Sequence, residues 1–199
     1  MARQGGSTPD QGRCFVTRFA DDFILGFELE ADARRVMDVL PKRFHRFGLT
    51  IHPDKTVLCA FQRPPNRAPS ARGKGTFDFL GFTHYWATTR RGYWVIKRKT
   101  VGKRLRRFMK GIWTWCRENR HAPLQEQYRA LGAKLRGHYQ YYGIRGNCKM
   151  LEAVFEYTER AWQYWLSRRS HKSHLNWQKF VDSVHRKLPL PKPRIIHYI

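Results

Sequence analysis

The chain has 199 residues, of which 41% are apolar, and it carries a formal net charge of +24. This apolar fraction is enough for a core and excludes wholesale disorder. The chain lacks a run of about 18 apolar residues, which argues against a membrane span. The first residues, MARQGGSTPD, lack the apolar stretch of a secretory signal. The four cysteines form no CxxC pair, so neither a zinc ribbon nor a thioredoxin-type motif is visible. We expect a cytoplasmic protein with reduced thiols.

Positive charge is concentrated in the later part of the chain. Residues 1–60 carry 9 basic and 8 acidic residues, whereas residues 61–199 carry 30 basic and 7 acidic ones. A polycation of this density repels itself unless a polyanion binds it. The charge therefore favours a nucleic acid as partner, and the alternative is a basic surface that only keeps the protein soluble. Charge alone does not distinguish a binding protein from an enzyme.

The first half of the chain is predicted to be mainly strands. A disordered lead-in at 1–13 precedes short strands at Cys14–Phe19 and Phe23–Phe27, which flank an Ala-Asp-Asp turn. Apolar residues at three- and four-residue spacing predict a helix over 31–47. The other predicted elements are strands at 49–51 and 57–61, a Pro/Gly/Arg loop at 62–75, and a hairpin of 77–86 with 93–96.

From about residue 99 the apolar period becomes helical. The first helix carries an apolar stripe, with basic residues at most other positions. A second helix is predicted to begin at Pro123, a third after Asn147, and a fourth to cover about 174–187 before an extended Pro-rich tail. The predicted fold class is therefore α+β, with a strand-rich domain over 1–98 and a helical domain over 99–199.

Two adjacent aspartates, Asp21 and Asp22, lie at the turn between the first two predicted strands. Carboxylates this close repel each other unless a cation lies between them, and oxygen ligands suit Mg²⁺. Two such ions can activate an attacking hydroxyl and stabilise a leaving pyrophosphate, as in polymerases and nucleases. The alternative is ordinary turn chemistry, because aspartate is common in turns.

The residues around this pair resemble the Tyr-x-Asp-Asp box of reverse transcriptases. RFADDFILGF is similar to the box of the bacterial group II intron reverse transcriptases, which are also called maturases. Later blocks follow in the order of that family. They are GLTIHPDKT at 48–56, FDFLGF at 77–82 as the primer grip, and, in the maturase-specific domain X, LRGHYQYYGIRGN at 135–147 and RAWQYWLSRRS at 160–170.

The resemblance implies an RNA-directed DNA polymerase of a mobile intron, with a partial palm at 1–98 and a thumb with domain X at 99–199. It implies Mg²⁺ as cofactor and Asp21 and Asp22 as its catalytic ligands. The implied partners are intron RNA, an RNA template, a DNA primer and deoxynucleoside triphosphates, with no membrane. It also assigns nucleotide or primer contacts to Phe19, Ala20, Lys55, Phe79, Leu80 and Gly81. The alternatives are a solvated Lys55 and core packing of Phe79 and Leu80.

Basic residues supply the predicted RNA contacts. Twelve Lys or Arg residues between positions 90 and 120 face a single acid, Glu118, whereas a merely solvated face would carry compensating acids. Aromatic side chains could stack on bases, although helical spacing favours core packing for most of them. The predicted RNA-binding residues are Lys97, Arg98, Lys99, Lys103, Arg104, Arg106, Arg107, Lys110, Arg136, Tyr139, Arg145, Arg168 and Arg169.

Two departures from the family pattern bear on activity. Phe19 stands where the family usually has Tyr, which keeps the ring but removes a hydroxyl, so we expect a tuned site. The family also has fingers and an upstream palm with a further metal-binding aspartate, whereas only about 13 residues precede the first strand here. We therefore expect the C-terminal portion of such an enzyme, either a truncated reading frame or a fragment, with an upstream palm and fingers polypeptide as a candidate partner. The alternative is a catalytically incomplete remnant that acts only as an RNA-binding maturase module.

Overall fold

The computed structural model describes residues 12–64, 75–170 and 174–198. The chain divides into two compact units, Met1–Leu80 and Gly81–Ile199. Most of the predicted lead-in and of the predicted Pro/Gly/Arg loop lies outside the described residues. The boundary between the two units lies after Leu80, before the chain changes from strands to helices near residue 99. The second unit therefore begins with a β-hairpin.

The first unit contains an antiparallel pair of strands. The pairing of β1 with β2 runs from Cys14 opposite Phe27 to Phe19 opposite Asp22. The helix α1 has acidic residues in its first turn and basic residues in its last, which matches the helix dipole. The elements of this unit are β1 (Cys14–Phe19), β2 (Asp22–Phe27), α1 (Glu30–His45), a 3₁₀ turn (Pro53–Lys55) and β3 (Thr76–Phe79).

Aromatic side chains make two close packing contacts in this unit. The Phe15 ring covers Gly26 on the facing strand so closely that an added Cβ would lie 2.0 Å from the ring. The Phe23 ring stacks on Phe44 of α1 with centroids 6.0 Å apart, which fastens the helix to β2. The strands predicted at 49–51 and 57–61 were wrong, because both segments lie outside the strands of the described part, and an isolated β-bridge at Gln62 follows the second segment.

The second unit begins with a hairpin and continues with helices. Strands β4 and β5 pair antiparallel from Phe82 opposite Thr100 to Thr88 opposite Trp94. The predicted strand at 77–86 is interrupted at Leu80 and Gly81, which both have positive φ angles. The elements are β4 (Phe82–Thr88), β5 (Trp94–Thr100), α2 (Gly102–Glu118), α3 (Leu124–Tyr142), α4 (Cys148–Leu166), α5 (Trp177–Phe180) and a π turn (Val181–His185).

The α+β fold class is confirmed, and the core of the second unit is helical. Apolar residues of α2, α3, α4 and the C-terminal segment form one buried cluster, with Trp162 as its largest buried side chain. Burial raises the pKa of the Cys116 thiol to about 12, so this thiol stays protonated. No helix in the described ranges is both long and apolar enough to cross a membrane.

Two buried amides tie the second unit together. The Gln127 side chain donates to the Asn119 and Ala122 carbonyls at 2.8 and 2.9 Å and accepts from Trp162 Nε1 at 2.8 Å. Asn147 accepts from the Thr100 amide and donates to the Thr100 hydroxyl, both at 2.9 Å. The first amide closes the α2–α3 turn and the second fixes the end of β5 to the start of α4.

The C-terminal segment returns to the turn after α3. The amides of Ile196 and His197 both donate to the Gly143 carbonyl, at 2.7 and 2.9 Å. A Cβ on Gly143 would lie 2.3 Å from the Tyr139 carbonyl oxygen and 3.0 Å from that of Arg194, so only glycine fits. The predicted fourth helix is shorter than expected, since α5 begins at Trp177 and passes into the π turn after four residues.

Candidate nucleic-acid site

The β1–β2 hairpin presents the two aspartates at its tip. Phe19 and Asp22 are the last paired residues, which leaves Ala20 and Asp21 as a two-residue loop. Ala20 has a φ of 50°, a conformation that normally favours glycine or asparagine. The Arg18 Nε donates to the Ala20 carbonyl oxygen at 2.9 Å and so braces this loop. Backbone strain of this kind recurs at functional sites.

Both carboxylates of the pair are open to a ligand. Asp21 and Asp22 are exposed, and within the described ranges neither carboxylate takes part in a hydrogen bond or an ion pair. Two unshared carboxylates next to each other are a suitable donor set for a hard divalent cation. In the part of the chain that the structure describes, no third His, Cys, Asp or Glu joins them in a metal-binding group.

The other predicted nucleotide and primer residues of the first unit lie at turns and strand ends. Lys55 ends the exposed 3₁₀ turn, and Phe79, half-buried, ends β3. Leu80 has a φ of 49°. Ala20 and Leu80 are the two residues other than glycine with positive φ in the described ranges, and each falls in a block that resembles the family.

Gly81 is buried at the start of the second unit. A Cβ at this position would lie 3.2 Å from the Tyr142 hydroxyl and 3.3 Å from Cδ of Arg104. The space beside its α carbon is thus occupied by side chains of α3 and α2. The Arg104 guanidinium hydrogen-bonds the Tyr142 hydroxyl, and burial raises the pKa of Tyr142 in spite of this cation. Packing therefore gives a physical reason for glycine here, and a primer contact stays a prediction.

The helix α2 carries a face of exposed cations. Its predicted RNA-binding residues are all exposed, and in the described part of the chain none of them forms an ion pair with an acidic side chain. Its apolar residues face the core, where Ile112 and Cys116 are buried. These exposed cations are Lys103, Arg104, Arg106, Arg107 and Lys110.

The predicted RNA-binding residues outside α2 differ in exposure. The Lys97 ammonium group donates to the Thr88 carbonyl at 2.8 Å, and Lys99 lies 5.1 Å from the centroid of the Tyr85 ring. The Arg168 guanidinium lies 3.4 Å from the centroid of the Tyr164 ring. Lys99, Arg136, Arg145 and Arg168 are exposed, whereas Lys97 and Arg98 are half-buried.

Two of the predicted RNA-binding side chains are engaged inside the protein. Tyr139 is 2% exposed and belongs to the helical core, where burial raises its pKa. The Arg169 guanidinium is half-buried and donates to the Arg120 and Ala122 carbonyls of the α2–α3 turn. Burial lowers the pKa of Arg169. Tyr139 packs in the core and Arg169 binds the α2–α3 turn, and RNA contacts by these two side chains stay untested predictions.

Comparison with known families identifies the segment that contains the hairpin. Residues 3–84 match the family model of reverse transcriptase (RNA-dependent DNA polymerase). This match supports the resemblance at the level of the broad reverse transcriptase family, whose members have nucleic acids as partners. It spans the Phe-Ala-Asp-Asp box and the FDFLGF block. Searches of curated proteins and of solved structures gave no significant match.

Sequence reasoning missed the aromatic residues that lie beside cations on α2 and α4. Arg117 lies 6.0 Å from the centroid of the Trp165 ring, and Trp113 packs against both Tyr164 and Trp165. Helical spacing assigned these rings to the core. A cation four residues after an aromatic ring, as in Tyr164 and Arg168, is a signal that could have shown them.

Proposed function

We propose that this chain is the C-terminal portion of a group II intron-encoded reverse transcriptase, acting in the cytoplasm on intron RNA and on a primer paired with an RNA template. The observation that carries the proposal is the strained hairpin tip, which holds two exposed and unshared carboxylates within the segment that matches the reverse transcriptase family. The order of the later blocks supports the group II intron class, and the cationic face of α2 supports nucleic-acid binding.

Asp21 and Asp22 would hold Mg²⁺, since their oxygens are the ligands that this ion prefers. The ion would stabilise the charge on a leaving pyrophosphate. The chain's own part is to fix the carboxylates at a braced hairpin tip, where Phe19 on β1 is paired with Asp22 on β2. A further palm polypeptide would supply the remaining carboxylate, because the described residues bring only two together.

A second candidate function follows from that count of carboxylates. Without a third ligand, this chain would act as an RNA-binding maturase module that assists splicing and does not polymerise. Its second unit has 26 Lys and Arg against 6 Asp and Glu, which suits a large structured RNA.

Primer extension on an RNA template with Mg²⁺ tests both candidates. In an assay that also supplies the completing palm polypeptide, we expect wild type to extend the primer and Asp21→Asn to fall to background, because the amide keeps the shape of the side chain but loses its charge. Asp38→Asn on α1 is the matched control, since Asp38 is also an exposed aspartate of the first unit, and it should extend normally. Extension by Asp21→Asn would contradict a catalytic role. RNA binding by a wild type that does not extend primers would select the maturase module.

A further inference from the structure

A pocket opens between α2 and α4 of the second unit, on the side of Trp113. It is an open depression with a volume of about 520 Å³. Two cations line it together with three apolar or aromatic side chains, and no acidic residue does. The lining residues are Arg106, Met109, Lys110, Trp113 and Tyr157.

The Trp113 ring in the lining of this pocket packs against two aromatic side chains of α4. The Trp113 ring lies 4.8 Å from the Tyr164 ring and 5.4 Å from the Trp165 ring, measured between centroids. The Trp165 indole N–H is buried and has no hydrogen-bond partner among the described residues. Trp113 is therefore a half-exposed ring that packs against two aromatic side chains of α4.

We propose that this pocket binds one unpaired nucleotide of an RNA strand, with the base against Trp113 and its phosphate near Arg106 and Lys110. Aromatic faces and arginines are the groups on which proteins stack unpaired RNA bases. A paired base remains inside its duplex, so a base can lie against Trp113 in this depression only if the RNA is single-stranded or looped there. The absence of any lining acid favours a polyanion over a basic peptide. This inference rests on the proposed nucleic-acid function of the chain.

Fluorescence anisotropy with the full chain tests the pocket. The probes are a labelled 12-nucleotide single-stranded RNA and a labelled RNA duplex with the same number of phosphates. Trp113→Ala should weaken single-strand binding by about fivefold or more, because stacking of one base contributes about 1–3 kcal/mol. Its duplex binding should stay within about twofold of wild type. Arg106→Gln should weaken single-strand binding and make its salt dependence shallower by about 0.7 in log–log slope.

Trp177→Ala is the matched control, because Trp177 is also a partly exposed tryptophan of this unit but lies outside the pocket. It should bind both probes like wild type. If Trp113→Ala fails to fold by circular dichroism, the exposed Arg106→Gln and Lys110→Gln carry the test. They should weaken single-strand binding more than duplex binding.

The outcomes separate this proposal from the proposed function. Equal losses for both probes, or no loss in any pocket variant, would overturn the nucleotide pocket. Salt-dependent binding by wild type would leave the proposed function standing in that case. A wild-type chain that binds neither RNA would overturn both.

Discussion

At the scale of single residues, the hairpin tip shows how a short motif acts through backbone geometry. Ala20 adopts a positive φ, which costs about 1 kcal/mol for a residue with a Cβ. The Arg18 guanidinium donates a hydrogen bond to the Ala20 carbonyl. The carboxylates of Asp21 and Asp22 are thereby presented outward without neutralising partners in the described ranges. The motif thus supplies two negative charges and a turn that leaves both of them exposed.

His138 provides a residue-scale prediction for pH dependence. This side chain is 5% exposed and packs on the rings of Phe108 and Tyr142, and burial lowers its pKa from 6.5 to about 4. In the unfolded chain, His138 binds a proton as pH falls below 6.5, whereas in the native state it binds one only as pH falls to about 4. His138 should therefore lower the free energy of unfolding over that window, by up to about 3 kcal/mol.

Replacing His138 should remove this loss. His138→Phe should flatten the fall in the free energy of unfolding between pH 6.5 and 4, as measured by urea denaturation at several pH values. His121→Phe changes an exposed histidine and should keep the wild-type profile. An unchanged profile for His138→Phe would show that other groups cause the acid sensitivity.

At the scale of elements, the turn between α2 and α3 depends on one buried amide. Gln127 is 1% exposed and satisfies carbonyls of the turn and the indole N–H of Trp162. Gln127→Met keeps the length of the side chain but removes its bonds to the turn and leaves the buried Trp162 indole N–H unpaired, so we expect a loss of about 1–3 kcal/mol in unfolding free energy. Gln125→Met on the same helix is exposed and serves as the control, with little change expected. A loss below about 1 kcal/mol for Gln127→Met, measured by urea denaturation, would contradict this role.

The elements also show how far the sequence could predict this fold and its site. The long helices and the β1–β2 hairpin were correct within a few residues, because helical period and hairpin turns are local signals. The segments 49–51 and 57–61 have strand-like composition, but strand formation depends on a pairing partner elsewhere in the chain. The Asp21–Asp22 pair was visible as a motif, whereas the pocket at Trp113 needs two helices side by side.

At the scale of the whole molecule, charge separates the two units. The first unit carries a net charge of +4 and the second a net charge of +20. RNA binding should therefore weaken steeply with salt, and the slope should come mainly from the second unit.

Charge removal at matched positions tests this division. The double variant Lys103→Gln/Arg107→Gln on α2 should reduce the log–log salt slope of single-stranded RNA binding by about 1.4. The control Arg35→Gln/Arg43→Gln on α1 removes the same total charge from exposed positions and should leave the slope near that of wild type. Equal changes in the two variants would mean that net charge alone, and not the α2 face, drives binding.

The four cysteines have a practical consequence for experiments on this protein. Cys14 and Cys59 are exposed in the first unit and Cys148 is exposed in the second, whereas Cys116 is buried and its thiol stays protonated. Maleimide dyes should thus attach to the first three and spare the fourth in the native state. Replacing either Cys14 or Cys59 with serine leaves one attachment point on each unit. A donor and an acceptor dye at those points would report, by energy transfer, whether the distance between them changes when RNA is added.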